Sequence, residues 1–85
     1  MYYVYIIKSK KDQKCYIGST IDLRKRMKEH NEGKVFSTKS RRPFTLIYYE
    51  AFRSEKDARL REQKLKNYGK NITNLYVRIK NSLNN

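Results

Sequence analysis

The stretch that most constrains the fold lies at residues 15–30, where the pattern of a short β-strand changes directly into that of a helix. Gly18 interrupts the strand, and a polar cap follows it. Ser19 and Asp22 have the spacing of a capping box, so we expect the helix to begin within a residue of Ile21. Four residues then share the face that packs against the core: Leu23, Arg26, Met27 and His30. Two of them are basic, and a half-buried cation needs a partner or a ligand.

The charge of the chain favours a polyanionic partner. Its 85 residues contain 21 Lys and Arg against 8 Asp and Glu, which gives a net charge of +13 at pH 7. Such an excess of cations is typical of proteins that bind nucleic acid. We expect residues 1–83 to form one domain with a modest core, and residues 84–85 to fray. A membrane is the weaker alternative, because no apolar run approaches the roughly 18 residues of a spanning helix.

The cysteine and histidine content limits the chemistry that is available. Cys15 is the one cysteine and His30 the one histidine, so an internal disulfide and the usual zinc-finger ligand sets are excluded. The first residues have the pattern of a strand, without the basic lead and small-residue cleavage site of a signal peptide. We therefore expect an intracellular, cytoplasmic protein.

Three stretches have the composition of β-strands. Residues 2–7 are aromatic and β-branched, residues 8–14 form a polar turn, and residues 15–18 continue as a second strand. Side chains alternate along a strand, so at least one of the tyrosines in the first strand must face the interior. Residues 44–52 are apolar on both faces, which predicts a strand inside a small sheet that helices cover.

Three helices are predicted. The first ends at Gly33, which supplies a left-handed exit. Ser54 and Asp57 form a second capping-box pattern. The helix that they open is expected to run to about Tyr68 and to end at Gly69. The last helix carries apolar residues at helical intervals, namely Ile72, Leu75, Tyr76, Ile79 and Leu83.

The loop at residues 34–43 mixes cations with hydroxyl groups, which suits it to phosphate oxygens. Its basic residues are the predicted nucleic-acid contacts: Lys34, Lys39, Arg41 and Arg42. A solvated, disordered loop is an equally weighted alternative, because runs of charge are common in loops.

Five polar side chains are not explained by caps, helix dipoles or solvated faces: Tyr5, Tyr16, Arg26, His30 and Glu62. Glu62, for example, stands in the apolar stripe of the second helix. A carboxylate can hold a divalent metal, a cation can bind phosphate, and phenol or imidazole groups can move a proton. Spacing alone does not bring the five together. The alternatives are an Arg26–Glu62 ion pair, tyrosines that only pack, and a histidine that the helix dipole favours.

The arrangement of these residues resembles the GIY-YIG nuclease domain. Tyr3-Val4-Tyr5 is followed after ten residues by Tyr16-Ile17-Gly18. Arg26 lies ten residues after Tyr16, and Glu62 follows the third predicted strand. The resemblance covers nearly the whole chain and is strongest to the small stand-alone members of the family. It implies an α+β fold, in which helices flank a three-stranded antiparallel sheet in the order ββαβαα.

The resemblance also implies roles for individual residues. Tyr5 and Tyr16 match the two motif tyrosines, which would orient or deprotonate the attacking water, with His30 as a second base. Arg26 matches the family's essential arginine, which would clamp the scissile phosphate. Glu62 matches the glutamate that binds the metal ion, which would be Mg²⁺ or Mn²⁺.

Other positions match the family less closely. Gly18 corresponds to the glycine that lets the backbone approach the substrate. Tyr3 departs from the pattern, because the first motif has a glycine there. Many members carry a supporting asparagine near the end of the domain, and Asn67, Asn71 and Asn74 are all candidates for it.

The function that the resemblance implies is hydrolysis of DNA by a metal-dependent endonuclease, in repair or recombination-type processing. Branched or nicked DNA is the expected substrate, and a protein partner would supply targeting. The alternative is a basic module that binds DNA or RNA without cutting it. Glu62 separates the two hypotheses, because binding alone gains nothing from an acid that faces a phosphate.

Overall fold

The computed structural model describes residues 1–67 and 69–84, which fold into three strands and four helices. In chain order these are β1 (Tyr2–Ser9), β2 (Cys15–Thr20), α1 (Leu23–Asn31), β3 (Phe44–Phe52), α2 (Glu55–Asn67), α3 (Gly69–Arg78) and α4 (Lys80–Asn84). The strands form one antiparallel sheet in the order β2-β1-β3, which confirms the predicted α+β class. None of the helices in the described residues has the length and apolar composition of a membrane-spanning segment.

The inner strand is β1, and the prediction that β3 lies inside the sheet is wrong. Residues 4–7 of β1 are at most 1% exposed, whereas Tyr49 of β3 is 51% exposed. Both strands are apolar on both faces, so their composition alone could not show which one pairs on two sides. Because β1 pairs with β2 on one side and with β3 on the other, it is the central strand of the sheet.

Helices cover both faces of the sheet. Val4 and Ile6 of β1 pack on one face in a cluster with Ala58 and Leu65 of α2 and Leu75 of α3. On the other face, Tyr5, Ile7 and Phe44 form a second cluster, against which Leu23 and Met27 of α1 pack. The prediction that a tyrosine of β1 enters the interior is confirmed by Tyr5.

The boundary between β2 and α1 differs from the prediction. The strand does not break at Gly18 but continues to Thr20, because Gly18 pairs with Tyr5 of β1. The helix begins at Leu23, and its cap is Asp22, whose side chain accepts a hydrogen bond from the Lys25 backbone N–H at 3.0 Å. The Ser19 hydroxyl is thus not a cap.

The other helix ends agree with the sequence patterns in part. Gly33 adopts a φ of 76° just after α1, as predicted. The Ser54 hydroxyl caps α2 by accepting from the Asp57 backbone N–H at 3.4 Å. Gly69 begins α3 rather than ending a helix, and the predicted end at Tyr68 lies outside the described residues. The predicted last helix is divided into α3 and α4, which meet at Ile79.

The loop between α1 and β3 is anchored to the body of the protein, so a fully solvated loop is not what the chain forms. Val35 and Thr38 are buried, and a 3-10 turn follows at Lys39–Arg41. The amide of Asn31 clamps the far end, donating to the Phe44 carbonyl at 3.2 Å and accepting from its N–H at 2.7 Å. Both ends of the loop are therefore fixed to the rest of the protein.

Candidate active site

The centre of the site is a hydrogen bond between Tyr5 and His30. Tyr5 projects from β1 towards α1, and His30 lies in the last turn of α1. Their exposed fractions are 1% and 0%. The Tyr5 hydroxyl lies 2.7 Å from Nε2 of His30. The fold thus brings together two residues that are far apart in the sequence.

Thr38 is the hydrogen-bond partner of the second ring nitrogen of His30. Its Oγ1 lies 2.7 Å from Nδ1 of His30 and donates to the Val35 carbonyl at 3.5 Å. A hydroxyl that donates to a carbonyl can accept from the imidazole, which puts the hydrogen on Nδ1. Nε2 is then the acceptor for the Tyr5 hydroxyl. With a neutral imidazole, every donor in this row of hydrogen bonds has an acceptor.

The protonation equilibria agree with this neutral arrangement. Burial, followed by the charge of Arg26, lowers the pKa of His30 to about 4, while Glu29 opposes part of the shift. Burial raises the pKa of the Tyr5 phenol, and the nearby Arg26 guanidinium opposes that rise. Around neutral pH both rings are therefore uncharged, and His30 acts as a hydrogen-bond acceptor rather than a cation.

Gly18 has a packing reason to be a glycine. It lies opposite Tyr5 in the pairing of β1 with β2, and a Cβ atom at Gly18 would overlap the phenol of Tyr5. The Tyr5 ring fills the space that any other side chain would need. This requirement is separate from the approach of a substrate to the backbone, which the resemblance implies.

Tyr16 connects the two faces of the sheet. Its ring meets that of His30 edge-on, with the centroids 5.3 Å apart and the planes at 64°. The ammonium of Lys66, on α2, lies 5.9 Å from the centroid of the same ring. Because β2 is an edge strand, side chains from α1 and α2 can meet around its free edge at Tyr16.

Glu62 lies over the end of β2. One carboxylate oxygen accepts a hydrogen bond from the Ser19 hydroxyl at 2.8 Å, and the other pairs with the Lys66 ammonium at 2.8 Å. Arg26 pairs with Glu29 at 3.2 Å, so the alternative of an Arg26–Glu62 ion pair is wrong. The side chain of Glu62 remains 20% exposed and open to a ligand.

Two open depressions flank the end of β2. Glu62 lines the first and Arg26 the second, and both depressions share the polar ridge formed by Ser19 and Thr20. The carboxylate and the guanidinium therefore lie on opposite sides of one short ridge. The two depressions therefore adjoin at Ser19 and Thr20.

The basic residues of the loop at 34–43 have different surroundings. Lys34, Lys39 and Arg42 are exposed, although Lys34 pairs with Glu32 at 3.1 Å. The Arg41 guanidinium donates to Asp12 at 2.7 Å. This contact ties the loop to the β1–β2 turn, so Arg41 has a structural role whether or not it contacts a ligand.

Three residues that complete the site were not predicted. Ser19 was interpreted as a cap, and Thr38 was grouped with the loop hydroxyls. Neither contact could be found from the sequence, because their partners lie 43 and 8 residues away in other elements. Lys66 carried a usable signal, since it follows Glu62 by four residues on one helix.

Comparison with known proteins agrees with this fold and site. The GIY-YIG catalytic domain matches residues 1–77. The chain therefore belongs to the GIY-YIG family, which is part of an endonuclease superfamily. A nucleic acid is the substrate that this domain implies. The solution NMR structure of the UPF0213 protein BH0048 from Bacillus halodurans has a similar fold, with a TM-score of 0.57. That match has 35% sequence identity and covers 94% of this chain and 86% of the other.

Relatives of similar length are UPF0213 proteins, which are small single-domain members of the family. The UPF0213 protein SH2523 of Staphylococcus haemolyticus is 41% identical over 70 residues, or 81% of this chain and 84% of the relative. The UPF0213 protein YazA of Bacillus subtilis is 39% identical over 77 residues, or 89% of this chain and 77% of the relative.

The donor set at Glu62 fits a divalent metal ion of the kind that GIY-YIG nucleases generally use. Among residues 1–67 and 69–84, no group of three or more His, Cys, Asp and Glu side chains could enclose a metal. A single, partly exposed carboxylate suits Mg²⁺ or Mn²⁺, which take water and substrate oxygens for their remaining positions. Lys66 would give up its contact with Glu62 when such an ion is bound.

Proposed function

We propose that this protein is a metal-dependent endonuclease that hydrolyses phosphodiester bonds in branched or nicked DNA, in repair or recombination-type processing. The observation that carries the proposal is that Arg26 and Glu62 line two adjoining depressions at the end of β2, in a chain of the GIY-YIG family. Lys66, which pairs with Glu62, lies 5.9 Å from the ring centroid of Tyr16 on the same strand. Residues 1–83 would act as one cytoplasmic domain, which a protein partner would direct to its target.

The scissile phosphate would lie across the ridge of Ser19 and Thr20. Arg26 would exchange its contact with Glu29 for two phosphate oxygens, which its planar fork matches in geometry. Glu62 would hold Mg²⁺ or Mn²⁺, with its orientation set by the Ser19 hydroxyl. The ion, when bound, supplies positive charge that polarises the phosphate and offsets the charge of the transition state.

Tyr16 is the tyrosine that can reach an attacking water, because it is half-buried whereas Tyr5 is enclosed. As the water oxygen bonds to phosphorus, the bond from phosphorus to the leaving sugar oxygen breaks. A proton of the water passes to the Tyr16 oxygen, while the Tyr16 hydroxyl releases its own proton to solvent. The leaving oxygen takes a proton from solvent in turn. His30, which is itself held by Tyr5, would hold the Tyr16 ring by its edge.

The rest of the substrate would lie along the basic surface. Lys34, Lys39 and Arg42 present exposed cations, and Arg41 stands beside them. These four residues would contact backbone phosphates rather than bases, which gives affinity without sequence preference.

The second candidate function is a module that binds DNA or RNA without catalysis. The pairing of Glu62 with Lys66 favours it, because the ammonium cancels the charge that would otherwise repel a phosphate. On this hypothesis Glu62 is a structural residue, and divalent metal ions have no effect on the bound nucleic acid.

The two functions are separated by the Glu62→Gln variant. The amide keeps the size of the side chain and can still accept from Ser19, but it loses the charge that holds a divalent ion. Cleavage of labelled branched, nicked and linear DNA would be measured with Mg²⁺, Mn²⁺ or a chelator. We expect cleavage by the wild type with either metal, and a loss of roughly 100-fold or more in the variant.

The matched control is Asp57→Asn, which removes the same charge from an exposed position of the same helix. It should cut at the wild-type rate. Circular dichroism and a gel shift should show that Glu62→Gln folds and binds DNA normally. Normal cutting by Glu62→Gln would contradict the metal role, and binding without cutting by the wild type would establish the second function.

A further inference from the structure

A groove with mainly apolar walls lies beside the two depressions of the candidate active site. It runs between α1 and the β1–β3 side of the sheet, with a volume of about 700 Å³. Apolar and aromatic side chains form most of its walls: Tyr3, Ile21, Leu23, Met27, Leu46 and Tyr49. The function proposed above uses none of these residues.

Two tyrosines form an aromatic wall in this groove. The rings of Tyr3 and Tyr49 pack edge to face, with centroids 5.9 Å apart and an interplanar angle of 66°. Tyr49 is 51% exposed and the neighbouring Ile21 is 70% exposed. A contiguous apolar surface that is open to water indicates a binding site, whereas a single exposed residue does not.

The groove is continuous with the site of the proposed reaction. Tyr3 lines both this groove and the depression that contains Glu62, and Ile21 lines these two and the depression that contains Arg26. Tyr49 is the direct partner of Tyr5 across β1 and β3. A nucleic-acid strand bound at Arg26 and Glu62 can therefore continue into the groove.

The chemistry of the groove selects the part of the nucleotide that can enter it. Apart from Asp22 and Arg24, which also line the groove, its surface is apolar and aromatic. Such a surface can stack on a nucleobase, as aromatic side chains do in proteins that bind single strands. Bases in a duplex are stacked on one another and are not available. The net charge of +13 supplies the attraction for the attached backbone.

We infer that the groove formed by Tyr3 and Tyr49 is a stacking site for an unpaired nucleobase, next to the phosphate that is cleaved. The inference rests on the proposed function in one respect, namely that the nucleic-acid backbone passes Glu62. The preferred substrate is then single-stranded or carries an unpaired base at the cleavage position.

Equilibrium binding without metal tests this inference independently of cleavage. The wild type would be titrated, in a chelator, with a labelled oligothymidylate, with the same strand carrying abasic sites, and with a duplex of equal length. Removal of the bases should weaken binding on the order of tenfold, because the stacked base is lost while every phosphate remains. The duplex, whose bases are stacked on one another, reports the electrostatic part of the affinity.

Variants of the aromatic wall provide the second arm. Tyr49→Ala should weaken binding to the intact strand about tenfold and leave binding to the abasic strand unchanged, and Tyr49→Phe should restore wild-type binding. Val77→Ala is the matched control, since Val77 is 71% exposed on α3, outside this groove. Circular dichroism would establish that each variant folds.

Three results would overturn the inference. One is equal affinity of the wild type for the intact and the abasic strand. Another is unchanged binding of the intact strand by a folded Tyr49→Ala variant. The last is self-association that Tyr49→Ala abolishes, which would assign the groove to a second copy of the chain. Loss of metal-dependent cleavage in a variant of Glu62 bears on the proposed hydrolysis alone, because no arm of the binding experiment requires cutting.

Discussion

At the scale of single residues, His30 shows how burial changes the role of a common side chain. Its helical spacing from Leu23 and Met27 predicted that it faces the core. Its protonation state could not be predicted, because that depends on complete burial and on Thr38, which a separate loop supplies. The structure thus turns a residue that matched a catalytic base into an enclosed acceptor for Tyr5.

The low pKa of His30 makes folding dependent on pH. The unfolded chain binds a proton at His30 near pH 6.5, whereas the folded chain binds it only near pH 4. Between these values the unfolded state holds more protons, so the contribution of His30 is complete above about pH 6.5 and is lost as the pH falls towards 4. The shift corresponds to about 3 kcal/mol of the free energy of unfolding.

The titration can be observed directly by NMR, because the chain contains one histidine. The Cε1 proton of His30 should titrate near pH 4, and urea denaturation should show lower stability at pH 4.5 than at pH 7. His30→Gln is the control, because it should lose the part of this pH dependence that belongs to the imidazole. A titration near pH 6.5 in the folded protein would show that the ring is solvated.

At the scale of elements, the sequence predicted what forms but not always what it pairs with. The bounds of β3 agree with the predicted residues 44–52, since its apolar run is ended by polar residues. The position of that strand in the sheet could not be predicted, because β1 and β3 are apolar on both faces. The anchoring of the loop at residues 34–43 could not be predicted from the sequence either, since its buried residues, Val35 and Thr38, stand among exposed residues.

Thr38 is the residue through which this loop should affect α1 and the site. Thr38→Val has nearly the same shape but leaves Nδ1 of His30 without an acceptor, which typically costs about 1–3 kcal/mol. Thr38→Ser keeps the hydroxyl and should be close to the wild type. Ser37→Ala, in the same loop but exposed, should change stability by less than about 0.5 kcal/mol.

Two measurements check this prediction for Thr38. Urea denaturation gives the free energies of unfolding, and ¹⁵N chemical shifts of the imidazole report which nitrogen carries the hydrogen. Equal stability of Thr38→Val and Thr38→Ser, with an unchanged ¹⁵N pattern, would mean that Thr38 does not set the tautomer.

At the scale of the whole molecule, the candidate site depends on how the sheet is assembled. Residues from the two opposite faces meet because β2 is an edge strand, with α1 on one side and α2 on the other. The sequence supplied the five polar groups and, through the family motifs, the expectation that they converge. Only the fold shows that Lys66, Ser19 and Tyr16 join Glu62 to the face that carries Arg26.

In the proposed mechanism Tyr16 and Arg26 act on one phosphate in one step, which single-turnover cleavage can test. Rates would be measured for the wild type, Tyr16→Phe, Arg26→Lys and the double variant, with the protein in saturating excess over the DNA and with saturating metal. Each single substitution should lower the rate by about 10²–10³, because each removes one contact made in the transition state.

The rate of the double variant shows whether the two residues serve the same step. Two residues that serve the same step should show losses that do not multiply, so the double variant should be only slightly slower than the slower single variant. All four proteins should have similar stability and DNA affinity. A folded Tyr16→Phe enzyme that cuts at the full rate, or a double variant whose loss is the product of the two single losses, would contradict the account of a shared catalytic site.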